Sequence, residues 1–433
     1  MEFFPSYKGN RWKIFHLLTL LDRPARQRGN VYRKSVEIGE IVVEATIQTI
    51  FLLGYALYDQ THCLPEHIRE AAHRLTVCRT SVLGGHVQAC PDGHFKRHWY
   101  NSCKHRMCPL CAFTQVERWL AKQKARLLNT EHFHVIFTIS DELHDLWRLN
   151  TKVMGNILFK SATETLFELL GDQKHLGAKV GIIASLHTWS RKLDLHPHLH
   201  CLVTAGGLFN GEWIASSKKF LLPFGIVRAV FRGKYLYYLK MALDREELVL
   251  PEGMEPRQAR NLFNKLGRRK KWNVKLKETY SYGEGVLIYL ARYLRGGPIS
   301  NKRIFSVENG NVTFNYGREQ VKLISLPIQT FIGRYLQHVP LANSVMVRSY
   351  GLYHHSSKEE LACCREILGQ PPLEDSEFLD WQALWQQRSD EQPDCCPVCG
   401  KRLITLEIIV PVRKSKTLPR FNKDPDMAYE QAA

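Results

Sequence analysis

The sequence predicts an α+β chain with a central antiparallel sheet, a small cysteine-rich segment before it and a small C-terminal region after it. Three observations carry that expectation. Residues 132–139 (HFHVIFTI) and 180–187 (VGIIASLH) are short runs rich in β-branched, aromatic and apolar residues, the composition of strands. Residues 194–203 (DLHPHLHCLV) return after a polar turn at Arg191 and Lys192, so they form the second arm of an antiparallel hairpin and its central strand. Apolar patterns with helical spacing, at 112–128, 146–170 ending at Gly171, and 223–248, fall between and after these runs.

Composition sets the broad class. The chain has 433 residues, too many for one ordinary core, so two to four domains are expected. Apolar residues make up 44% and charged residues 24%, which excludes a disordered chain. Lys and Arg number 60 against 42 Asp and Glu, a formal charge of +18, with a pI near 9.4. That excess points to a polyanionic partner, most simply nucleic acid. The longest apolar stretch, 41–57, is interrupted by Glu44, Gln48 and Gly54 and falls short of a membrane span. Residues 1–5 carry no charged region leading into an apolar run and cleavage site, so no secretory signal is read. An intracellular, cytoplasmic protein with no membrane contact is expected, and its 12 cysteines then need a role other than disulfides.

In chain order, 1–75 reads as a helical lead-in, with an amphipathic helix over 36–58 and another opening near Pro65. Residues 76–125 form a separate unit. Cys78, Cys90, Cys103, Cys108 and Cys111 are crowded into a short basic segment. Cys108 and Cys111, two residues apart, chelate one tetrahedral ion across a tight turn, which predicts zinc. Cys103 and Cys90 are the preferred partners. His94 and His98 are alternatives, and Cys78 is spare or serves a second site. Buried free thiols are the plainer reading, but their density here favours metal. Arg97, Trp99, Tyr100, Lys104, His105 and Arg106 are interleaved with the ligands and suit phosphate contacts and base stacking.

Residues 126–345 carry the chemistry. His196, His198 and His200 alternate, and in a strand alternate side chains share a face, so three imidazoles meet one metal or phosphate. One such histidine is most often a satisfied polar group on a sheet; three in five residues are not. Zinc hydrolysis, metal-assisted phosphoryl chemistry, and copper or nickel binding all fit this triplet alone. His132 and His134 form a lesser triplet, a decoy or a second contributor to the same sheet. A helix is predicted over 286–297, with Tyr289 and Tyr293 one turn apart, about 6 Å along its axis. Core packing explains an isolated tyrosine pair; Arg292 and Arg295 beside it weaken that explanation. A hairpin turns at Asn309-Gly310, followed by a helix over 331–338 and a strand over 345–353. The C-terminal region, 346–433, contains an acidic linker (370–394), a polar tail from Arg413, and a second half-knuckle, Cys396 and Cys399. Cys363, Cys364, His354 and His355 are its candidate partners.

Taken together, LHPHLHCLV at 195–203, YLARY at 289–293, SCKHRMCPLC at 102–111, FHVIFTI at 133–139, PISNKRI at 298–304 and VRSYGLY at 347–353 resemble the rolling-circle insertion-sequence transposases of the insertion-sequence-ninety-one group, a branch of the HUH endonucleases. The resemblance spans roughly 78–353. It implies a ferredoxin-like, five-stranded antiparallel nuclease sheet with the histidines at its centre and the tyrosine helix beside it. It implies cleavage of single-stranded DNA at element ends through a 5′-phosphotyrosine, followed by strand transfer. His198 and His200 match the histidine pair that holds magnesium or manganese, with His196 as third ligand and Asp194 as the alternative. Tyr289 and Tyr293 match the paired nucleophiles. The zinc ligands would be Cys90, Cys103, Cys108 and Cys111, with Lys104, Arg106, Arg292 and Arg295 against DNA. Cys90-Pro91-Asp92-Gly93 departs from the pattern, lacking a cysteine that some relatives carry. A plasmid replication initiator or relaxase shares the nuclease core but does not explain the zinc segment. A non-catalytic zinc protein that binds DNA does not need the histidines and both tyrosines.

Overall fold

The computed structural model describes residues 35–38, 41–216, 222–269, 272–280, 296–373, 383–384 and 392–412. Of the helix expected over 286–297, residues 286–295, with Tyr289, Arg292, Tyr293 and Arg295, lie outside the described residues, as does the tail from residue 413.

The centre is an antiparallel sheet of five strands. In chain order these are β5 (His132–Thr138), β6 (Gly181–Trp189), β7 (Leu195–Thr204), β10 (Val274–Tyr280) and β14 (Val347–Gly351). Their spatial order is β10-β5-β7-β6-β14, so the histidine strand is the middle one, as expected. Helices α5 (Thr151–Gly171), α6 (Phe224–Asp244) and α7 (Pro256–Gly267) cover one face. There Phe133, Val135, Phe137, Leu199, Cys201, Val203, Ile182 and Ala184 meet Leu158, Leu166, Phe231, Tyr235 and Phe263 in the main core. Each Val, Leu, Ile or Phe among these contributes about 1.5–3 kcal/mol on burial. The alternate residues of β5, β6 and β7 point to the other face, and these include every histidine of the site.

A second core forms from helices α1 (Ile47–Thr61), α2 (Glu66–Thr76) and α8 (Ile328–Leu336), and from a three-stranded sheet, β11 (Ile304–Glu308), β12 (Asn311–Asn315) and β13 (Leu323–Pro327). The Asn309-Gly310 turn joins β11 and β12 as expected. Cys78, Cys103 and Cys108 are buried within this core.

The structure changes several expectations. The helix expected over 36–58 begins only at Ile47, after a short hairpin of β1 (Ser35–Ile38) and β2 (Ile41–Glu44). The β-branched run Ile41-Val42-Val43 favours extended backbone, and the Thr46 side chain caps the helix by accepting from the Thr49 N–H. The helix expected over 146–170 is two, α4 (His144–Leu149) and α5, broken at Asn150. The Asn150 side chain donates to the Leu146 carbonyl and accepts from the Val249 N–H, so it holds the break closed. Nor does a boundary near 345 separate structural units. Strand β14 is an edge of the central sheet, and β15 (Ile404–Ile409) pairs with β3 (Gly85–Ala89). With β4 (Lys96–Tyr100) they form a three-stranded sheet joining the cysteine-rich segment to the C-terminal region, while α3 (Ala112–Arg126) leads into β5 and a hairpin of β8 (Gly206–Phe209) and β9 (Glu212–Ala215) follows β7. Among the described residues, no helix is long and apolar enough to cross a membrane.

Candidate metal centre

Strand register assembles the site. His187 of β6 stands opposite His198 of β7, and Ser185 opposite His200; on the other side Ile136 of β5 stands opposite His200. Paired residues in antiparallel strands share a face. His187, His198 and His200 therefore converge, each offering a ring nitrogen within 4.8 Å of the others. Their ring centroids lie 4.3 Å (187–200), 4.8 Å (198–200) and 5.3 Å (187–198) apart.

Hydrogen bonds aim these rings. His198 Nδ1 donates to the His196 carbonyl at 2.6 Å, which leaves Nε2 as the lone-pair nitrogen. His200 Nδ1 lies 2.6 Å from His134 Nε2, the second-row partner that a metal-binding histidine requires. His187 Nε2 lies 3.2 Å from the Ser185 hydroxyl. Burial keeps His198 neutral, with a pKa lowered to about 4, and lowers His187 well below its ordinary value. Neutral imidazoles such as His187 and His198 need no deprotonation before they bind a cation.

His196 does not join the group. Two steps along β6, His187 to Trp189, oppose three along β7, Leu195 to His198, so a bulge falls at His196-Pro197. The bulge takes His196 out of the alternation and leaves it half-buried, its ring 5.0 Å from that of His198. Asp194, the alternative third ligand, is engaged elsewhere: it accepts from Ser190 and pairs with Arg334 of α8 at 2.6 Å. The histidine that sequence reading missed is His187. The signal was present, since the hairpin through Arg191 and Lys192 sets the register that faces it to His198.

The cysteines sort into two groups. Cys78, Cys103, Cys108 and Cys111 form the first, with Sγ–Sγ distances of 3.2 Å (78–111), 3.5 Å (78–108) and 3.6 Å (103–111). Hydrogen bonds from the Cys103, Cys108 and Cys78 thiols hold Cys111 far toward the thiolate. The His105 N–H donates to Cys103 Sγ across Lys104, whose φ is +55°. Four sulfurs at this spacing suit one tetrahedral zinc, whose Zn–S distance of about 2.3 Å puts ligand sulfurs about 3.8 Å apart. Cys90 is not among them, contrary to expectation; Cys78, from the turn after α2, takes that position. Cys90 lies instead with His94, Cys396 and Cys399. Cys363, Cys364, His354 and His355 are in neither group.

The two expected DNA-contact residues that are described differ. Lys104 is exposed, while Arg106 is half-buried and donates to the Ser344 carbonyl. Lys275, on β10, is exposed and close enough to His196 and His198 to lower both pKa values further.

A histidine-lined central strand coupled to a cysteine-cluster domain defines a two-module, metal-handling class of protein. Comparison with known families places it further. A family model described as "Putative transposase" matches residues 181–360, and one described as "Transposase zinc-binding domain" matches residues 50–139. A "Putative transposase" of Sinorhizobium fredii is 33% identical over 369 residues, covering 82% of this chain and 93% of the relative. The transposase for insertion sequence element IS801 of Pseudomonas savastanoi pv. phaseolicola is 28% identical over 347 residues, covering 77% and 82%. No solved structure matches. The chain belongs to the insertion-sequence transposases of the insertion-sequence-ninety-one group.

Proposed function

We propose that the chain is a DNA-cutting and DNA-joining enzyme that opens single-stranded DNA at element ends through a 5′-phosphotyrosine and moves strands by a rolling-circle route. The observation that carries this reading is the convergence of His187, His198 and His200 on the central strand pair. A zinc DNA-binding protein without catalysis has no use for three convergent imidazoles, two of them buried and one half-buried. His198 Nε2, His200 and His187 would hold a divalent ion; nitrogen donors favour manganese over magnesium, which prefers oxygen. When bound, such an ion polarises a phosphodiester and favours the charge that builds on its oxygens.

The chain's own groups supply the remainder. His134 and the His196 carbonyl fix the ligating rings. Lys275 stands beside them as a phosphate contact, with Lys104 on the zinc segment. The phenol oxygen of Tyr289 or Tyr293 attacks phosphorus, the bond from phosphorus to the 3′ oxygen breaks, and the freed 3′ hydroxyl leaves with the proton. The phosphotyrosine conserves the bond for rejoining, and a second tyrosine serves a second strand without release of the first. The cysteine group of Cys78, Cys103, Cys108 and Cys111 holds structural zinc.

The test is a single-stranded element-end oligonucleotide incubated with the protein and manganese. Covalent attachment that is lost in the Tyr289→Phe/Tyr293→Phe double variant supports the reading. Undiminished attachment in that variant contradicts it.

A further inference from the structure

We infer that Cys90, His94, Cys396 and Cys399 hold a second zinc ion, which ties the C-terminal segment to the β3–β4 hairpin. The four residues come from two turns more than 300 positions apart, yet their ligand atoms all lie within 4.8 Å of one another. Cys90 Sγ is 3.4 Å from Cys399 Sγ and 3.8 Å from His94 Nδ1. These are the edge lengths of a tetrahedron about one zinc, roughly 3.8 Å between thiolate sulfurs. They are far from a disulfide's bond length of about 2.05 Å.

Both turns are built as knuckles. In the first, Cys90 donates its N–H to the Phe95 carbonyl, and the Gly93 N–H returns to the Cys90 carbonyl, with φ +76° at Gly93. In the second, the Cys396 N–H donates to the Lys401 carbonyl and the Gly400 N–H to the Cys396 carbonyl, with φ +71° at Gly400. The Val398 N–H points at Cys396 Sγ at 3.5 Å, as in the first cysteine group, where it is the His105 N–H that points at Cys103 Sγ. Such N–H donors offset thiolate charge. Lys401 pairs with Asp92 across the two turns at 2.8 Å, and Arg97 donates to the Pro393 carbonyl. A dedicated apolar patch of Cys90, Cys396, Leu403 and Phe95 lies beneath them.

The energetics call for a staple here. Strand β15 pairs with β3 across a register shift, but its side chains stay in solvent: Ile404 is 47% exposed, Leu406 56% and Ile408 75%. A strand that buries so little is held poorly by the hydrophobic effect, and small sheets of this kind rely on metal. The family's zinc-binding model ends at residue 139, so it covers Cys90 and His94 but neither Cys396 nor Cys399. The set is three sulfurs and one nitrogen, and the C-terminal turn supplies half of it.

The experiment measures zinc released by a thiol-reactive mercurial from the full chain, prepared under reducing conditions and stripped of ions at the histidine site by the His198→Ala/His200→Ala background. Two zinc ions per chain are expected. Cys396→Ser/Cys399→Ser should release one, and limited proteolysis should then cut first within 392–412. His94→Ala, which alters only an exposed ligand and spares the fold, should lower the retained zinc toward one, and His94→Cys should restore two. Cobalt in the restored and parental proteins should differ in its visible bands as four sulfurs differ from three sulfurs and a nitrogen. Two zinc ions in both the double variant and His94→Ala would overturn the inference, as would a Cys90–Cys399 disulfide found by mass spectrometry in the reduced preparation.

Discussion

At the scale of the residue, the site is decided by hydrogen-bonded orientation rather than by the count of histidines. Alternation along the strand singles out His198 and His200, but their aim comes from partners that alternation does not reveal: the His196 carbonyl and His134. His187→Ala is therefore expected to weaken manganese binding more than His196→Ala does. His134→Phe should weaken it about 10- to 100-fold, the usual effect of removing an outer partner. Manganese titration followed by electron spin resonance checks the order; equal effects of His187→Ala and His196→Ala would reject it. Two other buried histidines make the fold sensitive to acid. Burial lowers His132 and His338 to about 4, while hydrogen bonds to Tyr353 and to the Leu193 carbonyl hold them in place. Their folded values lie below the unfolded value near 6.5, so the unfolded chain binds more protons between those limits. Their contribution is complete above pH 6.5 and is lost as pH falls toward 4, about 2 kcal/mol each by pH 5. Urea unfolding at pH 7.5 and pH 5 should show that loss, and His338→Gln should reduce it.

At the scale of the element, four of the five strands of the central sheet were legible, β10 with its charged VKLKETY excepted, because β-branched and aromatic runs are a local signal that survives into the structure. The bulge at His196-Pro197 was not, because a bulge is defined by the partner strand and not by the strand that carries it. The same reason explains the exchange of Cys78 for Cys90. Spacing identifies a knuckle, but which two knuckles meet depends on a contact between Cys90 and Cys399, residues whose pairing no local pattern encodes. Helix α6 shows what burial contributes. Phe231 is fully buried, its ring 4.7 Å from that of Phe137, while Tyr237 on the same helix is 58% exposed. Phe231→Ala should cost about 3–5 kcal/mol of stability and Tyr237→Ala no more than about 0.5 kcal/mol, measured by urea unfolding.

At the scale of the whole molecule, the zinc segment is fastened to the rest of the chain at several points. Tyr335 of α8 donates to the Met107 carbonyl at 2.6 Å, Arg106 donates to the Ser344 carbonyl, and the Gly296 N–H donates to the Arg106 carbonyl. The stretch that carries Tyr289 and Tyr293 lies between β10, an edge of the histidine sheet, and Gly296, which contacts the zinc segment. Chain connectivity thus joins both modules to the proposed nucleophiles, and the formal charge of +18 supplies a net attraction to a polyanion. The central claim is that a tyrosine of this stretch becomes joined to DNA beside the histidine centre. The most direct measurement traps the protein on a single-stranded oligonucleotide with manganese, digests it, and maps the nucleotide-bearing peptide by mass spectrometry. The expected adduct is on Tyr289 or Tyr293 and disappears in His198→Ala/His200→Ala. An adduct on any other residue, or cleavage of the oligonucleotide with no protein adduct, would contradict the account.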